Sequence, residues 1–285
     1  MNLKRMVTVG FMTLASLALV ACSQTTAKDT KVSSSEASTS QKAPSNSEKQ
    51  IKKDANIILN GILADESSGF TNLMGLSLRD WKTELTDAYV KEHASDYRPE
   101  SDYTLELTEG TFQPSQILEL FDKTRFKLMA LIGKDYELVS VDDQGDQAVV
   151  TFKTRAIATR DLSNLVNAYK QSLVKDPEDW KKIEALAEQN PDVKKRVDLL
   201  NQFLFYYAFD RDFQDFGFTK PKEFHLTLTK SKDGRYQLKD KDFAQLRKDL
   251  FVDAASESGA ETRRSKASSS KDEETSKSSA SSSKK

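Results

Sequence analysis

With 285 residues, 37% of them hydrophobic, the chain has room for one folded domain of about 200 residues once its apolar-poor ends are set aside. Its 43 basic and 44 acidic side chains leave a net charge of −1 and are interspersed, so no basic field invites nucleic acid. Ten glycines and six prolines are few for an α/β enzyme built on phosphate-gripping turns, and a single cysteine excludes an internal disulfide, so packing must hold the fold.

The chain opens on Lys4 and Arg5, continues as an apolar run from Met6 to Val20, and reaches Cys22 through small residues. That run falls short of the ~20 residues a spanning helix needs, which favours a secretory leader over a permanent membrane helix. Leu19-Val20-Ala21-Cys22 matches at all four positions, and so resembles, the lipobox of bacterial lipoproteins. The resemblance implies cleavage between Ala21 and Cys22, a diacylglyceryl thioether with palmitate-type chains on the Cys22 sulfur, and a place on the outer face of the cell membrane. Two acyl chains anchor well where one is marginal. Residues 22–47 then read as the lipidated cysteine and a flexible Ser/Lys tether, 48–253 as a single domain and 254–285 as a disordered Ser/Lys-rich tail, because neither end offers apolar surface to offset its ordering entropy.

Within 48–253 the periodicity is helical first. Ile51, Ala55, Ile58, Leu59, Ile62 and Leu63 share one face. Ser77 with Asp80 reads as a cap before Trp81, Leu85, Ala88 and Tyr89, and a third helix starts near Pro114, spaces Ile117, Leu120, Phe121, Thr124, Leu128 and Leu131 along one stripe, and stops at Gly133. The period then switches to two: residues 136–141 and 147–157 flank an Asp- and Gly-containing loop, a hairpin signature. Helices return with Leu162, Leu165, Val166, Tyr169 and Leu173. Asp176-Pro177 and Asn190-Pro191 announce two more, the first with Trp180, Ile183 and Leu186 inward, the second with Val193, Val197, Leu200, Phe203, Leu204 and Tyr207 inward. Phe224, Leu226 and Leu228 alternate with His225, Thr227 and Thr229, Asp233-Gly234 turns the chain, residues 236–238 pair back, and a helix with Phe243, Leu246 and Leu250 closes the domain.

Runs of helices and runs of strands, without strict alternation, predict an α+β fold in which helices pack on one face of an antiparallel sheet of four or more strands. In lipobox, tether and element order the chain resembles uncharacterised lipoproteins of streptococci and related low-GC Gram-positive bacteria. Some of those domains are similar to the cone-shaped nuclear-transport-factor-like, or cystatin-like, fold. The resemblance supplies no settled activity and no catalytic residues to carry over, and no cofactor is expected.

Candidate chemistry is sparse. His93 and His225 lack a Gly-x-Ser-x-Gly elbow, and both read as structural. Asp210 and Asp212 begin a calcium-loop spacing whose sixth and twelfth places, Asp215 and Pro221, fail it, so no metal is expected. Asp142, Asp143 and Asp146 read as hairpin-loop residues. The strongest hint is aromatic crowding around Phe203, Tyr206, Tyr207 and Phe209, followed by Asp210 and Asp212. Core packing accounts for part of it, and a ligand or partner surface for the excess. The preferred reading is a non-catalytic binding module for an envelope protein, a wall polymer or a small apolar ligand. An enzyme working through a buried Asp210 or Asp212 is the alternative, and a transporter's solute-binding protein is third.

Overall fold

The computed structural model describes residues 45–173, 176–211 and 217–256; Ala21, Cys22 and Asp212 lie outside them, as do all but residues 45–47 of the expected tether and 254–256 of the expected tail. Helix α1 (Asn46–Ala64) starts where the Ser45 side chain accepts the Glu48 amide, and it buries completely the six apolar residues of its predicted face. Gly61 sits on that face too. A Cβ there would stand 2.8 Å from the Phe70 ring, so the residue without a side chain lets α2 (Phe70–Met74) close against α1. Helix α3 (Leu78–His93) carries the expected Ser77 cap, and α4 (Pro114–Ala130) carries a reciprocal cap between Gln113 and Gln116. After α4 the chain turns through Gly133 at φ +74°, whose amide donates to the Leu63 carbonyl.

Strands β3 (Tyr136–Asp143), β4 (Gln147–Thr154), β6 (Lys222–Lys230) and β7 (Tyr236–Gln237) form a four-stranded antiparallel sheet in that order. The pleat sorts its residues as the alternation predicts. Ala148, Val150, Phe152, Phe224, Leu226 and Leu228 are buried under α1 and α8 (Asp240–Leu250), while Thr151, Lys153, Glu223 and His225 face away from that core. The expected α+β arrangement of helices on an antiparallel sheet is therefore what the chain adopts. Two small pairs escape the sequence pattern: a hairpin of β1 (Leu105–Leu107) and β2 (Gly110–Phe112), and a parallel contact of β5 (Ile157–Ala158) with β8 (Phe251–Val252).

Helix α5 (Thr159–Ser172) carries the predicted Leu162 stripe, and α6 (Pro177–Gln189) and α7 (Pro191–Arg211) begin at the predicted prolines. Helices α5 and α7 pack around a second core, in which Ile117 and Leu118 of α4 meet Val166, Leu199, Phe203 and Leu204. Since Phe126, Leu128 and Met129 of the same α4 belong to the sheet-side core, that helix joins the two. Several inward assignments need correction. Ala88 is exposed and Thr86 is buried in its stead; Leu173 and Leu186 are 49% and 51% exposed; Leu199 occupies the inner place expected of Leu200. Beside Ala88, Leu186 and Leu200 a neighbour one or two positions away, Thr86, Ala187 or Leu199, faces the core instead, because each helix is rotated to bring a different stripe against its partners.

Candidate functional site

Helix α7 carries the aromatic segment, and its residues divide. Phe203 and Phe209 are buried, and Tyr206 and Tyr207 are partly buried; Phe203 stacks with Tyr207 at 5.9 Å and meets Phe112 at 4.8 Å. Tyr207 also packs edge-on against Tyr169 at 5.1 Å, with the Arg211 guanidinium over its ring. The crowding is thus largely core packing between α5, α7 and the β1–β2 hairpin. Asp210 is exposed.

Beside this core the helices leave an opening. A cleft of about 330 Å³ is bounded by α4, α5 and α7, at the lower end of the ~300–1,000 Å³ usual for small-molecule sites. Helix α5 contributes Ser163, Val166, Asn167 and Lys170, spaced i, i+3, i+4 and i+7 as one helical face requires. Asn201, Gln202 and Phe205 come from α7 and Phe121 from α4, the two phenyl rings meeting edge-on at 5.0 Å. Polar and apolar groups therefore share the walls, and no carboxylate, histidine or cysteine lines them.

Two features of those walls are unusual. The Asn201 Oδ1 and Gln202 Oε1 oxygens are buried with no hydrogen-bond partner among the described residues. Lys170 is buried, and among the described residues its ammonium has Glu184 at 3.5 Å and the face of Trp180 at 5.4 Å, while the Trp180 indole also donates to Glu184 at 2.9 Å. The Ser163 hydroxyl is turned to the Thr159 carbonyl at 2.9 Å, as an ordinary helix serine.

The Phe121 wall is fixed from behind by a charged cluster. Asp122 of α4 is fully buried and accepts from Arg125, from Arg247 of α8 at 2.8 Å and from the Thr86 hydroxyl at 2.8 Å. The Arg125 guanidinium lies 4.7 Å from the Phe121 ring centre and 4.4 Å from that of Tyr89. Burial lowers the Arg247 proton affinity, with the like charge of Arg125 next in weight, and burial raises that of the Tyr89 hydroxyl. Sequence reasoning missed this cluster and the cleft's two amides, because polar residues within an amphipathic pattern read as solvated.

Other predicted candidates are taken by structural bonds. His225 pairs across the sheet with the Thr151 hydroxyl at 3.2 Å, and the His93 ring returns to the Tyr89 carbonyl at 2.9 Å. The Asp143 carboxylate accepts from Ser47, the Gly145 amide and the Tyr236 hydroxyl, and the Ser47 bond does most to hold its carboxyl below the usual range. Among the described residues no group of three or more His, Cys, Asp or Glu side chains is placed to hold a metal ion, and no helix is long and apolar enough to cross a membrane.

No family model matches the chain, and no curated protein sequence matches it. Among solved structures it is similar to that of a candidate lipoprotein (ycdA) from Bacillus subtilis subsp. subtilis str. 168, at 12% identity and a TM-score of 0.40. The similarity covers 72% of this chain and 56% of that one, so the chain spans little more than half the length of the protein it matches.

Proposed function

We propose that the chain is a lipoprotein of the outer face of the cell membrane, tethered through Cys22, whose folded part is a non-catalytic module that binds a small ligand in the α4–α5–α7 cleft. The anchoring half rests on the four matching residues Leu19 to Cys22. The binding half rests on the cleft: its size suits a small molecule, its walls combine aromatic rings with uncharged amides, and they carry no group poised as acid, base or activated nucleophile. The aromatic stretch Phe203, Tyr206, Tyr207 and Phe209 serves this reading as the packed backing of the α7 wall.

Two measurements test it. Cys22→Ser shifts the protein from the membrane fraction to the soluble fraction or the medium; unchanged retention in membranes overturns the anchor. Native mass spectrometry of the envelope-purified chain finds a small bound molecule that is lost in Asn167→Trp, whose indole fills the cleft from its exposed rim. The same bound mass in both proteins overturns the cleft as the binding place.

A further inference from the structure

We infer that the cleft takes a sugar ring, held by the side-chain amides of Asn201 and Gln202 and stacked on Phe121 and Phe205. The inference rests on the cleft being a ligand site, as proposed above, and names the chemistry of what enters it.

The two amides decide the class. Each presents a carbonyl oxygen and an NH₂ group, and each now has its oxygen walled off without a donor, a costly state for a buried acceptor. The terminal torsions of Asn and Gln are broad and nearly two-fold, so either group turns its oxygen toward the cleft without moving the helix. A partner that relieves them must donate, and must accept from the NH₂ that shares the group. Hydroxyls do both. A purely apolar guest leaves the amides unpaired, and an anion finds only Lys170, whose charge is already shared between Glu184 and the Trp180 ring.

The remaining walls fit the other half of a sugar. Phe121 and Phe205 stand edge-on and Val166 lies beside them, an apolar surface for the C–H face of a pyranose. Asn167 and Ser163 are exposed along the rim, where hydroxyls pointing outward meet them or water. The source is either a free oligosaccharide or the glycan of a wall polymer, since both present the same ring.

The test uses the full lipidated chain in lipid nanodiscs, titrated calorimetrically with the disaccharide of β-1,4-linked N-acetylglucosamine, with inorganic phosphate and with cyclohexanol, each against empty nanodiscs. The expected result is saturable disaccharide binding, weakened at least about tenfold in Asn201→Leu/Gln202→Met. Because that pair removes unpartnered buried groups while keeping their shape, its thermal midpoint stays level or rises, so lost binding is not lost folding. Sedimentation with purified wall glycan then separates the sources: co-sedimentation lost in the same variant assigns the polymer, and binding of the disaccharide alone assigns a free sugar. Saturable binding of phosphate or cyclohexanol that Asn167→Trp abolishes, without disaccharide binding, overturns the sugar while the cleft stands. No probe sensitive to Asn167→Trp overturns both.

Discussion

Asp122→Ala lowers the unfolding free energy by about 3–5 kcal/mol, because it removes the one carboxylate that faces two largely buried guanidiniums. The Arg125 and Arg247 side chains are 18% and 14% exposed, so water repairs little of the loss, and their mutual repulsion is then uncompensated. Chemical denaturation measures the effect. A control separates charge from volume: replacing Asp122, Arg125 and Arg247 together by Leu, Met and Met removes every buried charge and recovers most of the stability, as buried ion clusters replaced by apolar side chains commonly do. A single substitution costing under about 1 kcal/mol, the value of an exposed pair, would show that the cluster is solvated in solution. The consequence reaches the cleft, since Arg125 backs the Phe121 ring and a loosened Arg125 frees that wall.

What the sequence discloses and what it conceals follow from the range of each interaction. Asp176-Pro177 and Asn190-Pro191 mark helix starts because an N-cap and a proline at the first helical position act within three residues. The alternation in 147–154 and 222–230 predicts the buried face of the sheet because the pleat imposes a period of two on any half-buried strand. The burial of Asp122 is invisible at that range, for its partner Arg247 lies 125 residues away and neither residue departs from an ordinary amphipathic pattern. The β5–β8 pair is concealed for the same reason: two residues each carry no periodicity, and their partnership spans the helical half of the chain. The aromatics drew attention to α7 at the level of sequence, whereas two of the cleft's polar walls on the same helix, Asn201 and Gln202, did not stand out. Rings dominate a hydropathy pattern, whereas Asn201 and Gln202 become distinctive only once α4 and α5 are seen to enclose them.

Asp54 gives the second large effect, through a different geometry. It is fully buried in α1, where its Oδ1 accepts from Gln50 at 2.8 Å and from Arg235 Nε and Nη2 at 2.9 and 2.7 Å, and its Oδ2 accepts the Tyr236 backbone amide at 2.9 Å. One carboxylate thus fastens the first helix to the start of the last sheet strand, across 181 residues. Asp54→Ala strands a buried amide and a guanidinium that is 27% exposed, at an expected cost of about 3 kcal/mol; Arg235→Ala leaves a buried carboxylate and costs a similar amount. Since both remove the same bond, the double variant costs far less than their sum, a coupling of about 1.5–3 kcal/mol in a double-mutant cycle. Hydrogen exchange localises the effect: in Asp54→Ala the Tyr236 amide loses its protection relative to the β4–β6 ladder, because the short β7 strand has few other ties. Additive costs, or a Tyr236 amide that stays as protected as its neighbours in β6, would mean that α1 docks on the sheet by apolar burial alone.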